Sequence, residues 1–235
     1  MSRFMTRRDI LHFGGAGVTG LLVGGLRAEG FPKAAVNSTK VITNRPHLYH
    51  MSPTLARRRN SELLVVCSGG RQAHVCPFGR VEFMRSSDNG ETWTFPRVLI
   101  DGPIDDRDAG VLETAKGSIL VTTFTSLAYE DRLNAALKMK PHDENSWGSL
   151  EIRRWQAAHH RVDAVQRELE LGSWMIRSTD GGRSWSAPYR CPANSPHGPI
   201  QLSDGRLLYA GKLFWYGRAG HDHAGKLIWY GQAGQ

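Results

Sequence analysis

Two octapeptides built to one pattern, S-x-D-x-G-x-[ST]-W, constrain this chain more than any other feature: Ser86 to Trp93 (SSDNGETW) and Ser178 to Trp185 (STDGGRSW). An Asp followed two positions on by Gly suits a tight turn, in which the carboxylate accepts backbone N–H groups and the glycine takes a positive φ. The Thr or Ser hydroxyl ties the far side of the same turn, and the Trp anchors it to the core. Ser86, Asp88, Gly90, Trp93, Ser178, Asp180, Gly182 and Trp185 are therefore read as structural residues. Each octapeptide follows a short apolar segment and precedes a proline-marked extension, at Phe95-Pro96 and Ala187-Pro188, which makes the local order strand, turn, strand.

The segments between the octapeptides repeat as well. Ser52 to Cys67, Ala109 to Phe124 and Gly198 to Gly211 each hold a short apolar strand, a polar turn and a second β-rich strand. The order therefore occurs nearly twice, as four-stranded units, and a third copy begins at Gly198. From about residue 127 to residue 171 the period changes. Trp155, Ala158, Val162, Val165 and Leu169 recur at spacings of three and four, which predicts an amphipathic helix inserted in the second unit and packed against the sheets.

With these repeats, and with HGPIQLSDGRLLYAG at His197 to Gly211, the chain resembles the sialidase (neuraminidase) superfamily of Asp-box propellers from about Pro46 to Gly217. The resemblance implies an all-β fold, a β-propeller of the six-bladed type, of which residues 29–235 are expected to supply about two and a half blades. It implies retaining hydrolysis of a terminal α-linked sialic acid or related acidic sugar. A Tyr paired with a Glu acts as nucleophile in that family, an Asp as acid/base, and three Arg hold the substrate carboxylate. This chain departs from the pattern in two places. Met51, in His50-Met51-Ser52-Pro53, stands where the first Arg belongs, and the stretch from Gln72 to Arg80 carries no carboxylate, leaving His74 as its titratable candidate. A non-catalytic propeller that binds glycans or a protein partner is the alternative reading.

Candidate site residues follow from where strands enter each unit, since loops there carry function. Asp105-Asp106-Arg107-Asp108 precedes the first strand of the second unit. Asp106 and Asp108 are the catalytic candidates, as acid/base or as acceptors for a sugar hydroxyl, and Arg107 suits an anion. The same run reads equally as a charged turn with local ion pairs. Arg71, which matches the family's Gly-Arg after the second strand, together with His74 and His197, completes the expected substrate-binding set. His221, Asp222 and His223 lack a fourth ligand, so no metal is expected. Trp215, Tyr216, Trp229 and Tyr230 read as core aromatic residues in strands. No cofactor is implied, because no P-loop, GxGxxG, HExxH or GxSxG element is present.

The formal charge of +8 does not point to nucleic acid, because part of it lies in the first 28 residues and Arg57-Arg58-Arg59 has no interleaved aromatic residues. Residues 1–28 read as a twin-arginine export leader: Thr6-Arg7-Arg8-Asp9-Ile10-Leu11 precedes a Gly-rich apolar stretch too short to span a bilayer comfortably. The expected destination is periplasmic or extracellular, with no stable membrane span after export. Cys67, Cys76 and Cys191 fit neither a zinc site nor a disulfide framework, though one pair could form in an oxidising compartment.

Overall fold

The computed structural model describes residues 35–140, 143–191, 193–213 and 226–232. The leader, Trp215, Tyr216 and His221 to His223 lie outside them. From Val41 onward the chain forms one compact unit. Among the described residues it is built on antiparallel sheets with three helices.

The first sheet takes β1 (Tyr49–Arg57), β2 (Leu63–Arg71), β3 (Arg80–Ser86) and β4 (Arg97–Ile100) in sequence order. The second repeats that order with β5 (Asp105–Glu113), β6 (Ile119–Ser126), β7 (Ser173–Ser178) and β8 (Tyr189–Cys191). In the third, β11 (Arg206–Leu213) pairs with β9 (Ala193–Asn194), β10 (Ile200–Gln201) and β12 (Lys226–Gln232). Strand alternation sets the core. Leu64 and Val66 of β2 join Val81 and Phe83 of β3 against Val111, Ile119, Val121 and Ile176 of the second sheet. Val65 and Cys67, on the opposite face of β2, pack with Met84 and Trp93. Leu120, Met175 and Cys191 in turn meet Leu207 and Tyr209, so consecutive sheets stack face to face. The three cysteines are buried free thiols.

The two octapeptides close identical turns. Ser86 Oγ donates to Asp88 Oδ1 (2.7 Å) and accepts Gly90 N–H (2.8 Å), while Asp88 accepts Thr92 N–H (2.9 Å) and the Thr92 hydroxyl. Ser178, Asp180, Gly182 and Ser184 make the corresponding four bonds. These hydroxyl and amide donors hold both carboxyls well below the ordinary carboxylate range. Each turn carries two consecutive left-handed residues, Asn89-Gly90 and Gly181-Gly182, which Gly and Asn tolerate best. Sequence reading assigned no bond to the leading Ser, and it missed the next hydroxyl. Thr94 and Ser186 each lock the turn base by bonding back to Arg85 and Arg177. The tryptophans are half-buried and pack against the core as expected: Trp93 joins Val65 and Met84 while its Nε1 donates to Gly90 O, and Trp185 meets Phe83 edge-on.

The helical region differs from the expected single helix. It lies between β6 and β7 as α1 (Tyr129–Lys138), α2 (Ser149–His159) and α3 (Ala164–Glu170). Asp163 caps α3 by accepting Gln166 N–H, so the chain breaks after His159 and the apolar period loses its face. Trp155 and Ala158 are buried as expected, whereas Val165 and Leu169 are exposed. Trp155 instead packs with Tyr129, Leu133, Cys76 and Ile104, and its Nε1 donates to Gln72 Oε1, which fastens the insertion onto the loop between β2 and β3. Among the described residues, no helix is long and apolar enough to cross a membrane.

Candidate functional site

The first strands of the first two sheets meet the segment that precedes β10. Thr54 of β1 donates its hydroxyl to Ala109 O of β5 (2.8 Å), and the same oxygen lies 2.8 Å from His197 Nδ1, just before β10. A Cβ on Gly110 would come within 2.4 Å of the His197 backbone, so the close approach of β5 to this third segment requires glycine. The pairing register slips between Met51 and Thr54 and again between Arg107 and Gly110. Ser52, Asp108 and His197 sit at or beside these places with φ of 49°, 47° and 70°. Non-glycine residues in that region cost on the order of 1–3 kcal/mol each, and bulges of this kind re-aim side chains. Asp108 is half-buried, and its Oδ1 is buried without a hydrogen-bond partner among the described residues.

Asp105 to Asp108 are strand residues, not the entry loop expected from the sequence. Arg71 and Asp105 form a fully buried bidentate pair, with Nη1 to Oδ1 at 2.6 Å and Nη2 to Oδ2 at 2.8 Å. Arg71 also donates to Ser68 Oγ and to the carbonyls of Ala73, His74 and Asp106. All five of its N–H groups are used. Arg71 therefore belongs to the framework and has no fork left for a substrate carboxylate, which corrects its expected role. Burial pushes the Asp105 carboxyl up, while Arg71 and Arg107 pull it back down.

Asp106 is corrected in the same way. It is 1% exposed, its Oδ2 accepts Gly102 N–H at 2.6 Å, and burial, aided by Asp105 and Asp101, pushes it up to about 8. Its enclosure favours the protonated form. Arg107 is also mostly buried, 3.6 Å from Asp105 and 3.2 Å from His74 Nε2. Of the expected residues, the exposed groups are His74 and His197, with Asp108 half-buried.

The hydrogen bonds fix both histidine tautomers. A guanidinium only donates, so His74 Nε2 accepts from Arg107 and the ring proton sits on Nδ1. Thr54 spends its single hydroxyl proton on Ala109 O, so His197 Nδ1 must donate to Thr54 Oγ1, leaving Nε2 as an outward base. Long-range proton–nitrogen NMR is expected to show both neutral rings in the Nδ1–H form, against the usual solution preference, and Thr54→Val is expected to release His197 alone from it.

Sequence reasoning missed a second cluster at this end of the first sheet. Glu82, fully buried, accepts from Arg45, Arg80 and His50. These residues belong to no recognisable motif, and only strand pairing brings them together.

No protein-family model matches the sequence, and no curated protein does. Solved structures are similar to it. A protein of unknown function from Dyadobacter fermentans is 19% identical over 72% of this chain and 48% of its own, with a TM-score of 0.49. The Hadza microbial sialidase Hz136 is 20% identical over 68% and 32%, at 0.44. The NanB sialidase of Streptococcus pneumoniae is 12% identical over 73% and 42%, at 0.47. The chain thus spans less than half the length of each, and its structural neighbours include sialidases and other glycoside hydrolases.

Proposed function

We propose that this chain contributes consecutive blades of a sialidase-type, six-bladed propeller and belongs to an exported glycoside hydrolase acting on terminal acidic sugars. The reading is supported by the repeated octapeptides, by sheets that stack, the first two with their first strands together, and by the twin-arginine pattern at Arg7-Arg8. The observation that carries it is Asp108. It is held in a strained bulge where β1 and β5 meet the segment before β10, and one of its carboxylate oxygens has no hydrogen-bond partner among the described residues. A fold that sustains such strain around an unsatisfied acid has reserved it for something outside itself. Asp108 would pass a proton to the departing glycosidic oxygen or hold a sugar hydroxyl, and His197, linked through Thr54 to the Ala109 carbonyl, offers its Nε2 as a further acceptor.

A second reading, glycan binding without turnover, is favoured by the loss of Arg71 and Asp106 to the framework. Incubating the propeller, completed with its remaining blades, with a fluorogenic α-sialoside separates the two. The expected result is fluorophore release, reduced about 10²–10⁴-fold in kcat by Asp108→Asn. Saturable binding of the sialoside with no release selects the second reading, and an Asp108→Asn variant as active as the parent removes Asp108 from the chemistry.

A further inference from the structure

The face of the first sheet turned away from the second sheet carries a group of charges that neither the fold nor the proposed hydrolysis uses up. Ser68 of β2 reaches Asp106 of the second sheet, so its neighbours Cys67 and Gly69 lie on the opposite face. There Glu82 Oε1 accepts Arg45 Nη1 at 3.1 Å and Arg80 Nε and Nη2 at 2.9 and 2.8 Å, and Oε2 lies 3.2 Å from His50 Nε2. The Glu82 side chain is 0% exposed, while those of Arg45 and Arg80 are each 28% exposed.

One guanidinium neutralises one carboxylate. Here two guanidinium groups and an imidazole converge on Glu82, so the cluster carries at least one surplus positive charge. Oε1 is shared by three N–H groups, which leaves Arg45 Nε and Nη2 and Arg80 Nη1 without partners among the described residues. The arrangement is built in from below. A Cβ on Gly69 would fall 2.5 Å from the Glu82 carboxyl carbon, and one on Gly70 would fall 2.8 Å from Arg80 Nε. Two adjacent glycines thus leave the room that the Glu82 carboxylate and the Arg80 guanidinium occupy. Arginines oriented by a buried carboxylate lose little side-chain freedom when they take up an anion, and their planar forks suit oxyanions.

We propose that Arg45 and Arg80, positioned by Glu82, form an oxyanion site for a single carboxylate or sulfate group. The site stands independently of the hydrolase reading, since it uses neither Asp108 nor His197. The test is titration calorimetry of the full chain with sodium acetate and with sodium sulfate, each balanced with chloride at constant ionic strength. Saturable binding is expected, weakened about tenfold by Arg45→Met and by Arg80→Met through the loss of one charge-assisted bond. Arg45→Met leaves Arg80 and His50 on Glu82, so its circular dichroism should match that of the parent. Glu82→Gln removes the internal competitor and is expected to tighten binding. Preference for acetate assigns a carboxylate ligand, and preference for sulfate assigns a sulfate group. Heats that are equal in the parent and Arg45→Met, or absent in both, overturn the site.

Discussion

Replacing Arg71 by Met is expected to cost about 3–5 kcal/mol of folding stability, because it strands the buried Asp105 carboxylate without its bidentate partner. Arg71 and Asp105 both have side chains with no exposure, so water cannot take over the lost bonds. Three carbonyls and Ser68 Oγ lose a donor in the same step. Gly79→Ala should reach a similar end by another route, since its Cβ would fall 2.0 Å from Asp105 Oδ1 and 2.1 Å from Arg71 Nη1. Urea unfolding measures both. The double change Arg71→Met with Asp105→Leu should recover much of the loss, as replacing a whole buried pair by apolar residues is often neutral. A single Arg71→Met variant within about 1 kcal/mol of the parent, the range of an exposed ion pair, would show that the pair is far wetter than its burial implies.

The second large effect depends on pH and belongs to Asp106. Its folded value of about 8 lies above the ordinary 3.8, the reverse of a salt-bridged carboxylate. Below about pH 4 the group is protonated in both states and contributes nothing. Between pH 4 and 8 the unfolded chain releases the proton while the folded chain keeps it. The unfolded state therefore binds fewer protons, and stability falls as pH rises. Asp106→Asn removes this penalty while its amide oxygen can still accept Gly102 N–H. The variant is expected to match the parent near pH 4 and to exceed it by on the order of 2–4 kcal/mol at pH 7. The quantity to follow is the difference in urea midpoint between the two proteins at each pH, which cancels the opposite trend from Asp88 and Asp180. A constant difference from pH 4 to pH 8 would mean that Asp106 is ionised in the folded chain.

Both effects concern residues expected to contact substrate, and the reason for the change is geometric. Near in sequence, Asp105, Asp106, Arg107 and Asp108 look alike. In β5 the alternation of side chains sends Asp105 toward Arg71 and Asp106 toward Gly102, and the bulge re-aims Asp108. Three carboxyls within four residues thereby come to differ: Asp105 is paired, Asp106 is pushed toward its protonated form, and Asp108 Oδ1 has no partner among the described residues. His197 was legible as a candidate substrate-binding residue, but its tautomer is set by Thr54, which lies far from it along the chain.

What the sequence determined by itself is the local part. The octapeptides dictate their turns because every donor, acceptor and left-handed residue lies within a few positions. The strands between them follow from β-rich alternation, and Trp155 and Ala158 from their own spacing. Tertiary structure decided everything that depends on distant partners: the docking of the insertion through Trp155 and Gln72, the enclosure of Arg71 and Asp106, and the meeting of Arg45, His50, Arg80 and Glu82. Charge state, burial and spare hydrogen-bonding capacity are properties of a neighbourhood, and antiparallel pairing assembles that neighbourhood from segments with no sequence pattern in common.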